Sequence, residues 1–391
     1  MKIKNPLFLG VGGGNDAYSC ALAALCLRRQ GITWEKAIFS GVLSPFHTHS
    51  GSPVLPGVLG IRRDSRRWYV NNAGCFEIPF VDAGVLASVC GSGALMENLG
   101  VDSLIGITLK KGSVGVSESI RRLAEAKGVD HVFLVDVGGD ILYRSSKDGR
   151  ILSPMFDSLS LRGAIDSGVS ASLFEAGLGT DGELDAAPLR EMLTAPGVSS
   201  LKIDSADIDL WEKGFAQYVR PIRAGSTVPQ TIRAFRLGEG VTTIPHSARS
   251  VIGGRRWKDE FTHGVDADLC QKFFMLDPER IGNPLAVSCR SPLEWLGLTR
   301  RAGHLINNEG HLQSLETSCG RIVIFSPPDS FFSDDEKRDM FVEALRAVDL
   351  GQFDWVAVFT DELGKIQELG LVEGRPLNRE GVEGCVLVGP S

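Results

Sequence analysis

Three stretches of this chain combine glycines with acids. Gly10 to Asp16 reads Gly-Val-Gly-Gly-Gly-Asn-Asp, Val135 to Asp140 reads Val-Asp-Val-Gly-Gly-Asp, and Gly179 to Glu183 reads Gly-Thr-Asp-Gly-Glu. Each follows an apolar run and precedes a helix-like one. In an α/β protein such a turn can offer bare backbone N–H groups to an anion. Gly12, Gly13, Gly14 and Asn15 are therefore candidate contacts to an anionic ligand, and Gly138, Gly139 and Gly179 extend the set. A carboxylate among the glycines, Asp16, points to a metal or a polar ligand group rather than to a naked phosphate. Asp136 and Asp140 flank a glycine turn. They can share a hard divalent cation, Mg²⁺ foremost, or one can orient the other as a base, so they are the candidate catalytic pair. Asp16, Asp136, Asp140 and Asp181 form the candidate metal set. The competing explanation is local. Asn15 or Asp16 can cap a helix, Ser153 or Asp157 can begin the next one, and Asp181 and Glu183 suit a helix N-terminus through its dipole alone.

Other chemistries find less support. Gly12-x-Gly14-x-x-Ala17 loosely satisfies a dinucleotide fingerprint, but Ala37-Ile-Phe-Ser40-Gly41 supplies no acid for a ribose, so NAD is not expected. No P-loop is present. The opening glycine run resembles that of bacterial tubulin-like GTPases, yet Cys90-Gly-Ser-Gly93 is too short for their second phosphate loop. There is no Gly-x-Ser-x-Gly elbow and no cysteine–histidine signature for acyl transfer. His47 and His49 have a spacing that can chelate a metal from an extended chain. His246 and His263 flank a basic, glycine-rich stretch, Pro245–Gly264, which is expected to be a surface loop. Its Arg249, Arg255 or Arg256 can clamp an anionic substrate as a lid closes, and Arg255 is the candidate contact.

The elements that must hold these groups read as α/β. Leu7–Val11, Ala37–Ser40, Leu104–Thr108 and His131–Asp136 are expected strands. Ala17–Gln30 and Val116–Ala126 are expected helices, closed by Gly31 and Gly128. Such alternation predicts a Rossmann-like, mostly parallel sheet with helices on both faces. A helix begins near Glu183 and runs to Thr194, and Ile165–Glu175 starts helical and ends as a strand. Ser44–Arg67, rich in glycine, proline and serine, is expected to be a long loop. From 200 to 315 the pattern is less regular, with a helix at Trp211–Tyr218 and strands at Thr231–Leu237 and Lys272–Leu276. A C-terminal α/β addition follows: strands at Arg321–Phe325, Trp355–Phe359 and Gly384–Val388, and a helix from Ser333 to Ala347. At 391 residues the chain suits a core of 1–200 and a continuation of 201–391, or one large domain.

Composition narrows the partners. A net charge of −7 argues against a nucleic-acid binder, which needs concentrated Lys and Arg. No run of about 18 apolar residues offers a membrane span. Lys2 and Lys4 stand before an apolar stretch that Gly12–Asp16 interrupts too early for a signal peptide. The eight cysteines include no Cys-x-x-Cys pair, and this usage suits a reducing cytoplasm. An anionic small molecule is the expected partner, and a homo-oligomer stays open.

The three loops together resemble an uncharacterised family of unknown function. Its members open on Gly-x-Gly-Gly-Gly-x-Asp, carry Val-Asp-x-Gly-Gly-Asp followed by Ser-Pro-x-x-Asp, and then Gly-x-Asp-Gly-Glu. Here these stand as Gly10–Asp16, Val135–Asp140, Ser153–Asp157 and Gly179–Glu183. The resemblance covers roughly residues 5–300. It implies a Rossmann-like fold and lends no reaction. The residues favour an enzyme acting on a phosphorylated or nucleotide-like small molecule by hydrolysis or group transfer, assisted by a divalent cation. A metal-free lyase or cyclase and a non-catalytic nucleotide or metabolite sensor are the alternatives.

Overall fold

The computed structural model describes residues 3–12, 16–43, 98–109, 111–145, 154–194, 196–218, 227–238, 240–245, 262–291, 294–295 and 298–299, and isolated strands elsewhere. The chain begins β1 (Pro6–Gly10), α1 (Asp16–Arg29) and β2 (Ala37–Leu43). The short strands β3 (Val54–Leu55), β4 (Val58–Arg62), β5 (Tyr69–Val70) and β6 (Cys75–Ile78) follow. Next come β7 (Val101–Thr108), α2 (Gly112–Lys127), β8 (His131–Val137), α3 (Pro154–Ser167) and β9 (Ala171–Ala176). The run continues with α4 (Ala186–Leu193), β10 (Ser199–Lys202), α5 (Ser205–Tyr218) and α6 (Thr227–Leu237). Then come β11 (Val241–Pro245), β12 (Val251–Ile252), β13 (Arg255–Arg256), β14 (Thr262–Asp266), α7 (Ala267–Cys270) and β15 (Lys272–Leu276).

One nine-stranded sheet has the order β10-β15-β9-β8-β1-β2-β7-β6-β5. Its centre, β9-β8-β1-β2-β7, is parallel throughout, and antiparallel strands extend both edges. The chain lays β1, β2 and β7 outward in one direction, then crosses through α2 to place β8 and β9 on the other side of β1. This is the Rossmann-like order expected from the sequence. At the carboxyl ends of β1 and β8 adjacent strands lead away in opposite directions, the position at which sheets of this order hold ligands. A second sheet, β16-β17-β18-β20-β19, is built from β16 (Gln313–Thr317), β17 (Gly320–Phe325), β18 (Trp355–Phe359), β19 (Leu371–Pro376) and β20 (Cys385–Pro390). The first sheet runs to residue 276, so it takes strands from both sides of residue 200.

Every residue of β1 and β8 is buried, as fits central parallel strands covered on both faces. Alternation sorts their side chains. Leu7, Leu9, Val132, Leu134 and Leu173 join the core built with Val116 and Ile120 of α2 and Met155, Phe156 and Leu159 of α3. Phe8, Phe133, Val135 and Phe174 join the core built with Leu22 of α1, Trp211 of α5 and Ile232 of α6. On that second face Phe39, Phe8, Phe133, Phe174 and Phe273 line up across five neighbouring strands, with successive ring centroids 4.9–6.1 Å apart. Asp136 and Glu175 share the parity of Leu134 and Leu173, so both leave the sheet on the α3 side.

Three sequence expectations are corrected. Thr231–Leu237 is not a strand but the end of α6, whose buried residues Val228, Gln230, Thr231, Ile232 and Ala234 include three in succession rather than every second residue alone. Its β-branched residues suggested a strand; Pro229 in the first turn, where its missing N–H costs nothing, was the contrary signal. Ser44–Arg67 holds the β3–β4 hairpin. Pro245–Gly264 holds paired strands rather than a plain loop: β11 pairs with β14 and β12 with β13. The helix expected at Ser333–Ala347 lies outside the described residues. Among the described residues no helix is long and apolar enough to cross a membrane.

Candidate functional site

Seven carboxylates meet at the carboxyl edge of the parallel strands. Asp16 begins α1 and Asp136 is the penultimate residue of β8. Asp140 opens the 3₁₀ turn after β8, and Asp157 lies in the first turn of α3. Glu175 is the penultimate residue of β9, and Asp181 and Glu183 follow in the loop to α4. All seven are buried, none more than 7% exposed.

Local devices bring them together. Asp136 and Glu175 are direct neighbours in the β8–β9 register, so they face each other across one inter-strand spacing. Ser160 of α3 donates to the carbonyl of Val11 at 3.0 Å and pins the start of α3 over the end of β1. Asp157, almost one turn earlier, is thereby set against Gly12: a Cβ at that glycine would lie 3.0 Å from the Asp157 Oδ1. Gly138 sits at φ +129°, and a Cβ there would approach Asp181 Oδ2 to 2.6 Å. Asn283 Nδ2 donates to the carbonyl of Ile141 at 2.8 Å and steadies the turn that carries Asp140.

The oxygens form two groups. One oxygen each from Asp16, Asp136 and Asp157 lie within 4.8 Å of one another, and so do oxygens of Asp140, Asp181 and Glu183. Like charges 4.8 Å apart repel by roughly 3–4 kcal/mol at an effective dielectric of about 20. Three ionised carboxylates in one group would thus cost on the order of 10 kcal/mol, comparable to the whole stability of a domain. The group must hold protons or meet positive charge.

The titration of these residues says the same. Burial pushes Asp16 well above the usual carboxylate range, Asp136 and Asp181 push it further, and the Gly12 N–H, 2.5 Å from Asp16 Oδ2, pulls it back. Asp136 is raised to about 6 by burial, opposed by its bond with Glu175 and by backbone N–H groups, among them Gly139 at 3.2 Å. Asp140 is raised by burial and then by Asp157, Asp136, Glu183 and Asp181. Asp157 is raised by burial, Asp136, Asp16 and Glu183. Asp181 is raised by burial and Glu183, although the Glu183 N–H donates to its Oδ1 at 2.9 Å. Glu175 is raised by burial and Asp136. Neither Glu175 oxygen meets a donor, and Asp157 Oδ1 meets none. Between two carboxylates a hydrogen bond needs a proton, so a bond from Glu175 to Asp136 forms only when Glu175 is protonated.

The amides of the described glycines meet partners within the chain. The N–H of Gly12 goes to Asp16, that of Gly139 to Asp136, that of Gly138 to the carbonyl of Ala176 at 3.0 Å, and that of Gly179 to the carbonyl of Gly138 at 2.6 Å. These amides are engaged by the chain itself. Gly12 and Gly138 instead make room for carboxylates to approach the backbone. Gly13, Gly14 and Asn15 lie outside the described residues, as do His47, His49, His246 and Arg249. Arg255 stands in β13, and its side chain lies outside the described part.

All four expected metal-set residues, Asp16, Asp136, Asp140 and Asp181, therefore stand at one edge. Asp157 and Glu183, which local rules assign to helix starts, join them. Glu175 was missed altogether. Its signal was the shared pattern of an acid, one residue and a glycine at two strand ends, Asp136-Val-Gly138 and Glu175-Ala-Gly177, which sets two acids side by side in a parallel pair.

The family described as "Protein of unknown function (DUF1152)" matches residues 7–213. The chain belongs to this family. The DUF1152 match spans all seven carboxylates and ends within α5. No curated protein and no solved structure matches the chain.

Proposed function

We propose that this DUF1152 protein is an enzyme that binds a hard divalent cation at the carboxylate edge and acts on a phosphorylated or nucleotide-like small molecule by hydrolysis or group transfer. One observation carries the reading. Seven buried acids stand where Rossmann-like proteins hold ligands, and for Asp16, Asp140, Asp157, Glu175 and Asp181 the charges weighing most are other acids. The donor set is oxygen alone, which suits Mg²⁺ or Mn²⁺ rather than a soft metal. The orphaned Oδ1 of Asp157 is the fit such a cation needs. An anion has no place against this edge without one.

Asp16, Asp136 and Asp157 are the residues to hold the cation, with Asp140 and Asp181 beside them. A bound cation would neutralise the acids and draw an anionic substrate to them. Asp136 and Asp140 are the residues to accept a proton from the attacking water or hydroxyl and return it to the leaving group. The burial of the seven acids would limit bulk water at the reacting atoms.

The test is a thermal-shift series with Mg²⁺, Mn²⁺ and Ca²⁺, followed by ³¹P NMR on a panel of sugar phosphates and nucleotides. The expected result is stabilisation by Mg²⁺ or Mn²⁺ and turnover that disappears with chelator and in Asp136→Asn. Absence of any cation effect, with turnover intact, would favour metal-free acid–base chemistry. Ligand-induced stabilisation without turnover would favour a sensor.

A further inference from the structure

One short turn serves both Asp136 and Asp140. The Gly139 N–H donates to Asp136 Oδ2 at 3.2 Å, and Asp140 opens the turn. Two backbone bonds close it, from the Leu142 N–H to the Gly139 carbonyl at 3.0 Å and from the Tyr143 N–H to the Asp140 carbonyl at 3.1 Å. A single 3₁₀ turn has poorer hydrogen-bond geometry than an α-helix and gains little rigidity from its own bonds. Its anchor comes from beyond residue 213, where the family match ends. Asn283 is 8% exposed, its Nδ2 donates to the Ile141 carbonyl at 2.8 Å, and its Oδ1 accepts the Leu285 N–H at 2.8 Å. The same segment then reaches the start of α2. There the Cys289 N–H donates to Ser113 Oγ at 2.9 Å, and the Cys289 carbonyl accepts the Val114 N–H at 3.1 Å. Gly112, at φ +58°, makes room for this contact: a Cβ there would lie 2.5 Å from the Cys289 carbonyl oxygen. Between the two ends Leu285 is buried, and its carbonyl accepts the Trp295 Nε1–H at 2.8 Å. The turn follows β8 and α2 follows β7, and in the sheet those two strands flank β1 and β2. Residues 283–289 therefore cross the carboxyl edge as a strap tied at both ends.

We propose that Asn283 is a positioning residue of the site: through the Ile141 carbonyl it fixes the turn that orients Asp136 and presents Asp140, and the strap 283–289 holds Asn283 in place. A small hard cation demands its oxygens at set positions, and groups that hold a ligand from behind govern how well it can bind. An unanchored turn would let Asp136 and Asp140 part from the other acids under mutual repulsion. The inference rests on the cation reading above and deepens it, by naming a residue outside the family match on which cation binding depends.

The test compares Asn283→Ala with Trp295→Phe, which removes a buried hydrogen bond of the same strap without touching the turn. Both are made in the full chain. The readouts are amide hydrogen exchange in chelator and Mn²⁺ affinity by equilibrium dialysis. In Asn283→Ala the amides of Leu142 and Tyr143 should exchange about tenfold faster or more, while those of Phe133, Leu134 and Val135 in β8 keep their wild-type rates. Its Mn²⁺ affinity should fall about 10- to 100-fold. Trp295→Phe should match wild type in both readouts. Wild-type exchange at Leu142 and Tyr143 in Asn283→Ala, or faster exchange spread evenly through β8, would overturn the positioning role. So would an unchanged Mn²⁺ affinity, or an equal loss of affinity in the two variants. No Mn²⁺ bound by wild type would overturn the cation reading instead, and the exchange rates would then decide the role of Asn283 by themselves. Should Asn283→Ala fail to fold, Asn283→Ser takes its place, since a serine hydroxyl still accepts the Leu285 N–H but is too short to reach the Ile141 carbonyl.

Discussion

Replacing Asp136 with asparagine should make the metal-free protein more stable at alkaline pH, although the residue is a buried part of the core. The carboxyl is raised from 3.8 to about 6 in the folded protein. A raised carboxyl binds its proton more tightly when folded than when unfolded. Its native burden is therefore absent below the unfolded value, grows as pH rises from about 4 to 6, and is complete above that. About two pK units correspond to about 3 kcal/mol. Asparagine carries no charge at any pH, still accepts the Gly139 N–H, and offers an amide N–H to the donorless oxygens of Glu175. Urea denaturation in chelator should therefore show wild type and Asp136→Asn alike near pH 4, with the variant ahead by up to about 3 kcal/mol at pH 8. Comparing the two proteins at each pH cancels the titrating groups remote from Asp136, while Asp16, Asp140, Asp157 and Glu175, which its charge raises, are relieved in the same direction. Adding Mg²⁺ or Mn²⁺ should reverse the order once the cation stands at a thousand times its dissociation constant, where it contributes about 4.1 kcal/mol to wild type and little to the variant. A variant less stable than wild type at both pH values, or a difference that does not change with pH, would refute the reasoning.

Three further outcomes are expected. Gly12→Ala puts a methyl group against the Asp16 carboxylate and 3.0 Å from Asp157 Oδ1, so it should cost about 1–3 kcal/mol and weaken the cation-induced thermal shift. Ser160→Ala removes the donor to the Val11 carbonyl and should cost about 1–3 kcal/mol by urea denaturation, with a weaker cation response because Asp157 loses its anchor. His131 is held neutral by burial, its pKa lowered to about 4, with its ring nitrogens 3.0 and 3.1 Å from Ser170 and Ser172 hydroxyls. Its unfolded form gains a proton first as pH falls below 6.5, so its contribution to stability is lost between about 6.5 and 4. NMR of the imidazole should show no protonation at pH 5.5, and a ring titrating near 6.5 would refute the burial argument.

The sequence by itself determined the parallel centre of the sheet. Continuous apolar runs such as Leu7–Val11 and His131–Val137 bury on both faces only in such a sheet. Glycine–acid turns after them mark its carboxyl edge. Gly31 and Gly128 closed α1 and α2 as expected, because these are local choices of backbone angle. Asp16, Asp136, Asp140 and Asp181 were legible for the same reason: each lies within a few residues of a strand end. The middle region was less legible. The residues of α6 carry β-branched side chains that favour a strand locally, and only the burial of Val228, Thr231 and Ile232 in tertiary packing makes the segment a helix. Asp157 reads equally as a helix start or as a site residue, and Glu175 was beyond local rules altogether. Asp157 reaches the site because Ser160 ties α3 to Val11, a bond between residues 149 positions apart. Glu175 does so because the β8–β9 register pairs it with Asp136. Tertiary structure also decided what the acids are chemically. A carboxylate on a turn is an ordinary exposed anion, and only shared burial with six others raises its affinity for a proton, since desolvation and repulsion act between chain segments that sequence keeps apart.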